Sequence, residues 1–151
     1  MNVNVVTVSP PDALVTANRL RPVLLKLNRA LRREAAALGA TGGQVTLLYL
    51  IQKSRGIGVR ELAAREGISP AGMSGHVDRL EAAGLVQRVP STVDRRRVGL
   101  EITEKGLRIL RAVRRRRTAW LAGRLSRLTP EELAAVEQAI EPLTHLLEGD
   151  E

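Results

Sequence analysis

Three consecutive arginines that can bind a polyanion follow Asp94 in the second half of the chain: Arg95, Arg96 and Arg97. Guanidinium groups suit phosphates and base edges because each carries a permanent charge and several fixed hydrogen-bond donors. Residues 85–89 and 98–102, on either side, alternate apolar and polar side chains as half-buried strands do. The arginines are therefore predicted at the tip of a β-hairpin. Arg88, within the first strand, is expected to contact a nucleic-acid backbone.

A pair of short helices is predicted directly before this hairpin. Residues 59–66 and 70–83 are amphipathic, and Gly67 lies in the turn between them. Ser69 is a good N-cap for the second helix, and Pro70 is suited to its first turn. Apolar residues recur on one side of this helix, which leaves the other side free for a ligand. The ligand side is predicted to comprise Ser69, Ala71, Gly72, Ser74, Gly75, His76 and Arg79.

Two helices joined at a glycine turn and followed by a basic hairpin form the pattern of a helix-turn-helix with a wing. One helix can enter a major groove while the wing reaches phosphates or the minor groove. Ser69 and Ser74 can donate hydrogen bonds to phosphate, and Arg79 can do so with its charge. Gly72 and Gly75 allow two interpretations. They let the backbone approach DNA closely, or they only weaken the helix, by about 1 kcal/mol each relative to Ala.

Composition and charge favour a nucleic-acid-binding protein over other classes. The chain of 151 residues has a net charge of +8, and residues 85–117 alone hold eleven Arg or Lys against three acids. Such a basic surface attracts polyanions, although an excess of 21 Arg over 3 Lys also fits a compositional bias. The absence of cysteine excludes disulfides and thiolate metal sites. With neither a signal peptide nor an apolar run of about 18 residues, a cytoplasmic protein without a membrane segment is expected.

Catalytic and metal chemistry are not indicated by the sequence. His76 and His145 have no companions at metal-ligand spacing. We find no glycine-rich phosphate loop, no paired carboxylates and no nucleophile placed with a base. We therefore expect neither an enzyme nor a metal or cofactor.

Long amphipathic helices are predicted on both sides of the DNA-binding region. Apolar residues recur at helical spacing through residues 12–38, where Pro22 either kinks one helix or begins a second. Thr41 and Gln44 have the spacing of a capping box and predict the start of the next helix. The remaining predicted segments are a flexible arm and two further helices: residues 1–11, 103–128 and 130–147.

The order of these elements and three sequence segments resemble the MarR family of bacterial transcription regulators. DRRRVGLEITEKG, residues 94–106, is similar to the family's wing, and VRELAAREGIS and VDRLEAAGLV fit its helix pair. The resemblance extends over residues 12–147. It implies a homodimer that binds a pseudo-palindromic operator, often as a repressor released by a small anionic or aromatic molecule. It also implies that Asp94 pairs with Arg96 and orients it into the minor groove.

The resemblance also implies a mostly α fold with a small β-hairpin wing, and it gives a role to each helical region. Residues 12–38 and 107–148 are expected to form the dimerisation region around a winged helix-turn-helix at 41–106. Apolar residues expected in the dimer interface are Leu14, Leu20, Leu121, Leu125, Leu128, Ile140, Leu143 and Leu147. Candidates for lining an effector cleft are Arg21, Leu24, Tyr49 and Trp120. The two aromatic residues are better explained as ordinary core or interface residues.

Four consecutive arginines, residues 114–117, have no single predicted role. They cover every side of a helix, so at least one must face inward or a partner. They can be solvated, pair with acids of a partner chain, form an anion-binding patch near the dimer interface or make a second DNA contact.

We therefore predict a sequence-specific transcription regulator, expected to be a homodimeric repressor. Its predicted partners are double-stranded DNA, a second copy of the chain and a small-molecule effector. Two alternatives stay open. One is a DNA binder of low specificity, because the predicted recognition helix is poor in base-reading side chains. The other is a winged-helix module that binds another protein. A ligand-binding or enzymatic role in the helical cleft would need convergent polar groups that the sequence does not reveal.

Overall fold

The computed structural model describes residues 11–91, 94 and 96–148, and these form six α-helices and one two-stranded antiparallel sheet. The elements in chain order are α1 (Ala13–Ala36), α2 (Gly42–Lys53), α3 (Val59–Glu66), α4 (Pro70–Ala82), β1 (Val86–Pro90), β2 (Val98–Ile102), α5 (Glu104–Leu125) and α6 (Pro130–His145). This confirms the predicted mostly α fold with a hairpin wing. The predicted N-terminal arm lies outside the described residues except for Pro11, so it stays a prediction.

The first helix is continuous. Its N-cap Asp12 accepts a hydrogen bond from the backbone N–H of Val15 at 3.0 Å, and Pro22 lies inside the helix without ending it. Pro22 therefore lies within a single helix and does not begin a second one. The capping box at Thr41 and Gln44 is present, as predicted, and begins α2.

The helix-turn-helix and the hairpin share one core. Apolar residues of α2, α3, α4 and both strands meet there, and the largest fully buried side chains are Leu48, Ile51, Leu62, Met73, Val77, Leu80, Val86 and Leu100. Gly67 ends α3 in the left-handed conformation, with φ of 65°, which a side chain disfavours. This turn brings α4 across α3, so one face of α4 enters the core and the other remains exposed.

The hairpin is anchored at its base to the loop between α2 and α3. Its register pairs Val86 with Ile102 and Pro90 with Val98. Leu100 also exchanges two backbone hydrogen bonds with this loop, one from Gly56 and one to Ile57, each of 2.9 Å. The wing therefore leaves the protein body from a fixed base.

The outer helices leave much of their apolar surface uncovered in the single chain. A small second cluster, formed by Ala35, Ala40, Val45 and Val113, joins α1 and α2 to α5. None of the described residues of α6 is buried, although Thr129 begins this helix with a complete capping box. Within the described parts of the chain, no helix combines the length and apolarity that crossing a membrane requires.

Among the described residues, Glu131 in the first turn of α6 has a lowered pKa. A hydrogen bond with its own backbone N–H, and then one with the Thr129 side chain, lowers the pKa of this carboxyl. Both interactions favour the charged form, so their contribution to stability is present at neutral pH and is lost as the pH falls through the lowered pKa.

Candidate nucleic-acid interface

Helix α4 is held so that its polar side faces solvent. The Ser69 hydroxyl accepts a hydrogen bond from the backbone N–H of Gly72 at 3.1 Å, and Pro70 occupies the first turn. Met73, Val77 and Leu80 are fully buried on the opposite side. The N-cap and this apolar stripe together fix which face of α4 the protein presents.

The predicted recognition residues share this exposed face of α4. Ser69, Ala71, Gly72, His76 and Arg79 are exposed, while Ser74 and Gly75 are partly covered. Most of these residues carry no long polar side chain. Arg79 and His76 are the exceptions, and they contact each other: Arg79 Nη2 lies 2.8 Å from His76 Nδ1.

The two glycines of α4 are not required by the backbone. Neither has a positive φ. A Cβ at Gly75 would meet only the Arg79 guanidinium, at 3.9 Å, and one at Gly72 would lie 3.1 Å from the Ser69 hydroxyl oxygen. The fold therefore tolerates a small side chain at Gly75. Its absence leaves space on the exposed surface.

The tip of the wing is closed by hydrogen bonds around Asp94. The backbone N–H of Arg97 donates to the Asp94 carbonyl at 2.8 Å, and the N–H of Ser91 donates to the Arg97 carbonyl at 2.8 Å. The Asp94 carboxylate accepts from the backbone N–H of Arg96 at 3.0 Å. These bonds hold Arg96 and Arg97 on an exposed turn. Arg95 lies outside the described residues, so its predicted role is untested.

The expected pairing of the Asp94 and Arg96 side chains is wrong for this conformation. The ion pair of Asp94 is with the Nε of Arg97, at 3.7 Å, and its contact with Arg96 is to the backbone. The physical reason is the tight turn, in which a carboxylate reaches an amide two residues later more easily than the end of a long side chain.

Arg88 is engaged within the protein, although it was predicted to contact DNA. Its Nη2 lies 2.6 Å from the Asp78 carboxylate and its Nε lies 3.0 Å from that of Glu81. The Arg88 side chain therefore extends from β1 to two acids that lie one helical turn apart on α4. It ties the wing to the recognition helix and neutralises negative charge beside the exposed face. Sequence analysis missed this role because the three residues are brought together only by the fold.

An opening lies between the wing and α3. It has a volume of about 550 Å³, and its charged lining residues are Arg60, Glu61, Arg88, Asp94 and Arg97. The N-cap of α3 is Gly58, which supplies no capping side chain. The N-terminus of α3 therefore has no side-chain cap and borders the same opening as Arg97 of the wing.

The cleft between α2 and α5 has a different lining from the predicted one. Its volume is about 510 Å³, and its polar lining residues are Thr46, Tyr49, Gln52, Arg111, Arg114, Arg117 and Thr118. Of the four predicted candidates, Tyr49 alone lines it. Arg21 and Leu24 lie in the half of α1 that is exposed, because this helix packs through its later residues. Trp120 instead faces the Arg124 guanidinium at 5.3 Å.

The arginines at 114–117 divide between structural and surface roles. Arg116 pairs with Glu34 of α1 at 2.9 Å, and the Arg117 Nε donates to the Leu31 carbonyl at 3.1 Å. Arg114 is exposed and lines the cleft. Four adjacent positions on a helix cannot share one side, so two of these arginines bind α5 to α1 while another reaches the cleft.

The predicted dimer residues are partly or fully exposed in the single chain. Leu14 is 72% exposed, Ile140 60% and Leu147 67%. The others are half-buried: Leu20, Leu121, Leu125, Leu128 and Leu143. Their role in a dimer stays a prediction.

A helix-turn-helix with a basic hairpin wing defines the winged-helix class of DNA-binding proteins, and comparison with known proteins narrows this class. The MarR family profile matches residues 41–98. The HTH-type transcriptional repressor MdtR of Bacillus subtilis is 30% identical over 132 residues, which cover 87% of this chain and 85% of that protein. An HTH-type transcriptional regulator of Mycobacterium tuberculosis is 28% identical, with 87% of this chain and 92% of that protein covered.

The solved structures agree with these sequence relatives. A MarR family protein from Bacillus stearothermophilus superposes with a TM-score of 0.75 at 25% identity, over 91% of this chain and 99% of that chain. A transcriptional regulator from Thermotoga maritima gives a TM-score of 0.74 at 26% identity, with 91% and 96% covered. The chain belongs to the MarR family of helix-turn-helix transcription regulators.

Proposed function

We propose that this MarR family regulator is a homodimeric repressor that binds a pseudo-palindromic DNA operator through α4 and the wing. The observation that carries the proposal is the joint placement of these two elements. Helix α4 presents an exposed polar face, and Arg88 ties it to a hairpin whose tip exposes Arg96 and Arg97. Such an arrangement suits a helix in the major groove and arginines at the adjacent backbone or minor groove.

The dimer is supported by the apolar surface that the single chain leaves uncovered. Exposed large apolar residues cluster on the terminal helices: Leu14, Val15, Val23, Leu24 and Leu25 on α1, and Leu133, Val136 and Ile140 on α6. Exposed apolar surface on this scale marks an interaction site. A two-fold dimer would present two copies of α4 to successive turns of the groove, roughly 34 Å apart. The repressor role is supported by the likeness to MdtR, which is named a repressor.

The DNA-binding part of the proposal is tested by titrating the purified protein with its own upstream region and with a scrambled duplex of equal length. We expect tight binding to the native duplex alone. If each subunit neutralises three to five phosphates, log affinity should fall against log salt with a slope of roughly −5 to −9. Binding to neither duplex at low salt would contradict the proposal and favour the protein-interaction module. If the operator lies outside the upstream region, selection of the genomic DNA fragments that the protein binds would identify it.

A second candidate, a DNA binder of low specificity, is favoured by one observation. Ala71, Gly72 and Gly75 occupy much of the exposed face of α4, and none of them can hydrogen-bond a base edge with its side chain. Equal, salt-sensitive binding to native, scrambled and genomic duplexes would support this candidate against the operator-specific repressor. The function is non-enzymatic in either case, and binding to the chromosome places it in the cytoplasm.

We also propose that the cleft between α2 and α5 accepts a small anionic effector. Arg111, Arg114 and Arg117 line one side, and Tyr49 and Gln52 line the other. Benzoate and the neutral benzamide are matched probes, because they differ chiefly in charge. We expect benzoate, but not benzamide, to weaken DNA binding, and Arg114→Ala to remove that effect while leaving binding without benzoate intact. Equal effects of the two probes would contradict an anion site.

A further inference from the structure

The contact between His76 and Arg79 defines how the recognition helix can hydrogen-bond to a base. Arg79 Nη2 lies 2.8 Å from His76 Nδ1. A guanidinium carries donors and no acceptor, so Nδ1 must be the accepting nitrogen. The neutral imidazole therefore carries its proton on Nε2. His76 thus presents a donor, and Arg79 retains further N–H donors that this contact does not use.

Gly75 makes room for this arrangement. The Arg79 side chain runs back along α4, and its Nη1 is the atom that a Cβ at Gly75 would meet, at 3.9 Å. A longer side chain at this position would compete for the space that the guanidinium occupies. Side chains on helices lean toward the N-terminus, so Arg79 lies over the preceding turn when that turn is open. The glycine therefore allows the arginine to lie flat beside His76.

Few acceptors compete with these donors on the exposed face of α4. Asp78 and Glu81 are the acids of this helix, and both carboxylates are paired with Arg88. Ala71 and Gly72 have no polar side chain. The face that would enter the groove therefore offers hydrogen bonds mainly as a donor.

We propose that His76 and Arg79 act together as a paired donor that reads guanine in each half of the operator. This inference rests on the proposed operator-binding function. In the major groove, guanine presents two adjacent acceptors, N7 and O6, whereas adenine presents one acceptor and one donor, and cytosine presents a donor. A pair of side chains that offers only donors, as Arg79 and His76 do here, matches guanine best. His76 positions Arg79 in this pair, which reduces the freedom that the arginine loses on binding.

The test uses duplexes selected from a library with a randomised centre by the full-length protein. Guanines of the selected duplex are then replaced one at a time by 7-deazaguanine, which lacks the N7 acceptor. We expect one symmetric pair of guanines at which the replacement weakens binding by about 5- to 150-fold, the range of a good bidentate contact. Replacement at other positions should change binding little.

Variants of the pair separate base reading from charge. Arg79→Lys keeps the charge without the planar fork, so it should retain binding to a scrambled duplex and lose the guanine preference. His76→Ala releases Arg79 and should weaken binding to the selected duplex by about 2- to 12-fold, the effect of immobilising one long side chain. His76→Gln supplies an acceptor and a donor and should restore part of the preference. Arg127→Lys, the same exchange at an exposed arginine in the turn after α5, is the matched control.

The outcomes are distinguishable. Guanine sensitivity that disappears in Arg79→Lys and falls in His76→Ala would support the paired donor. A selected duplex without a sensitive guanine, or sensitivity unchanged in both variants, would overturn this inference and leave the operator-specific function standing. Unchanged affinity of Arg79→Lys for every duplex would assign Arg79 to a phosphate instead, because a lysine keeps that contact. No enriched sequence at all would overturn the proposed function and this inference together.

Discussion

Arg96 and Arg97, at the tip of the wing, have different neighbours. The guanidinium of Arg97 has the Asp94 carboxylate 3.7 Å away, whereas the backbone of Arg96, and not its side chain, is held by that carboxylate. Part of the charge of Arg97 is therefore compensated before DNA arrives. The Arg96 guanidinium has no ion-pair partner among the described residues, so it can enter a minor groove without breaking a contact.

We expect Arg96→Ala to weaken binding to the operator by about 5- to 100-fold. This is the loss of affinity that corresponds to the free energy of one good contact with a base or groove. Arg97→Ala should weaken it less, because Asp94 already offsets that charge. Fluorescence anisotropy at two salt concentrations measures both effects. Unchanged affinity of Arg96→Ala at moderate salt would remove the minor-groove role.

The wing tip shows what sequence can predict at the scale of a residue. The exposed turn and its arginines follow from the alternating strands on either side. The partner of the Asp94 carboxylate could not be predicted in this way. The resemblance implies a pair with the Arg96 side chain, whereas the geometry of the turn places the backbone N–H of Arg96 next to the carboxylate. The same limit applies to Arg88, whose two acidic partners lie 7 and 10 residues earlier in the chain.

At the scale of elements, Arg88 couples β1 to α4. Its ion pairs are partly exposed, with Arg88 at 36%, Asp78 at 63% and Glu81 at 45% exposure, so each contributes only a few tenths to 1 kcal/mol of stability. Their effect on DNA binding should be larger than their effect on folding. Without Arg88, two carboxylates would stand uncompensated beside an approaching phosphate backbone.

This coupling predicts a strong dependence between substitutions. Arg88→Ala should weaken DNA binding in the wild-type background and much less in an Asp78→Asn, Glu81→Gln background, because no carboxylates then remain to repel DNA. Isothermal titration of the four proteins measures the coupling. If the loss is equal in both backgrounds, Arg88 contacts DNA directly, as its position in the sequence first indicated.

The base of the wing gives a prediction about stability. A Cβ at Gly99 would lie 2.5 Å from the Gly56 carbonyl oxygen, within the backbone that anchors the hairpin. Gly99→Ala should therefore lower the free energy of unfolding by about 1–3 kcal/mol. Gly123→Ala is the matched control, because nothing lies within 4 Å of a Cβ at this position in the last turn of α5. It should stabilise the protein by up to about 1 kcal/mol. Chemical denaturation compares them, and equal effects would contradict the anchor.

Element bounds follow closely from the sequence where a cap or a glycine fixes them. Ser69 and Gly84 bound α4, and Thr129 begins α6, as their residue types indicate. The cleft between α2 and α5 is different. Its lining comes from α2 and α5. Arg21 and Leu24 lie earlier in α1 than the buried Ala30 and Ala35, and no local signal in the sequence marks where this helix begins to pack.

For the whole molecule, the uncovered faces of α1 and α6 are the main evidence of a second chain. Neither α1 nor α6 contributes a residue to the core of the helix-turn-helix. Helix α6 buries none of its described residues. In the proposed dimer, the terminal helices would set the distance between the two copies of α4. Substitutions there should change DNA binding without changing the interface with DNA itself.

Ile140→Lys should convert the protein into a monomer, because a charge would enter the apolar contact between chains. Sedimentation equilibrium measures the mass, and binding to the operator should fall in parallel. Ile68→Lys is the control: Ile68 is also an exposed apolar residue, 38% exposed, but it lies in the turn between α3 and α4. A wild-type protein that sediments as a monomer, or a dimer that Ile140→Lys leaves intact, would refute this assignment of the interface.

The measurement that tests the central claim most directly is a footprint of the protein on its selected duplex. Methylation protection reports the guanine N7 atoms in the major groove, and hydroxyl radicals report the backbone. We predict two symmetric major-groove patches about one helical turn apart, roughly 34 Å, each flanked by backbone protection where the wing lies. A single patch, or uniform protection without symmetry, would contradict a dimer that reads DNA through α4 and the wing.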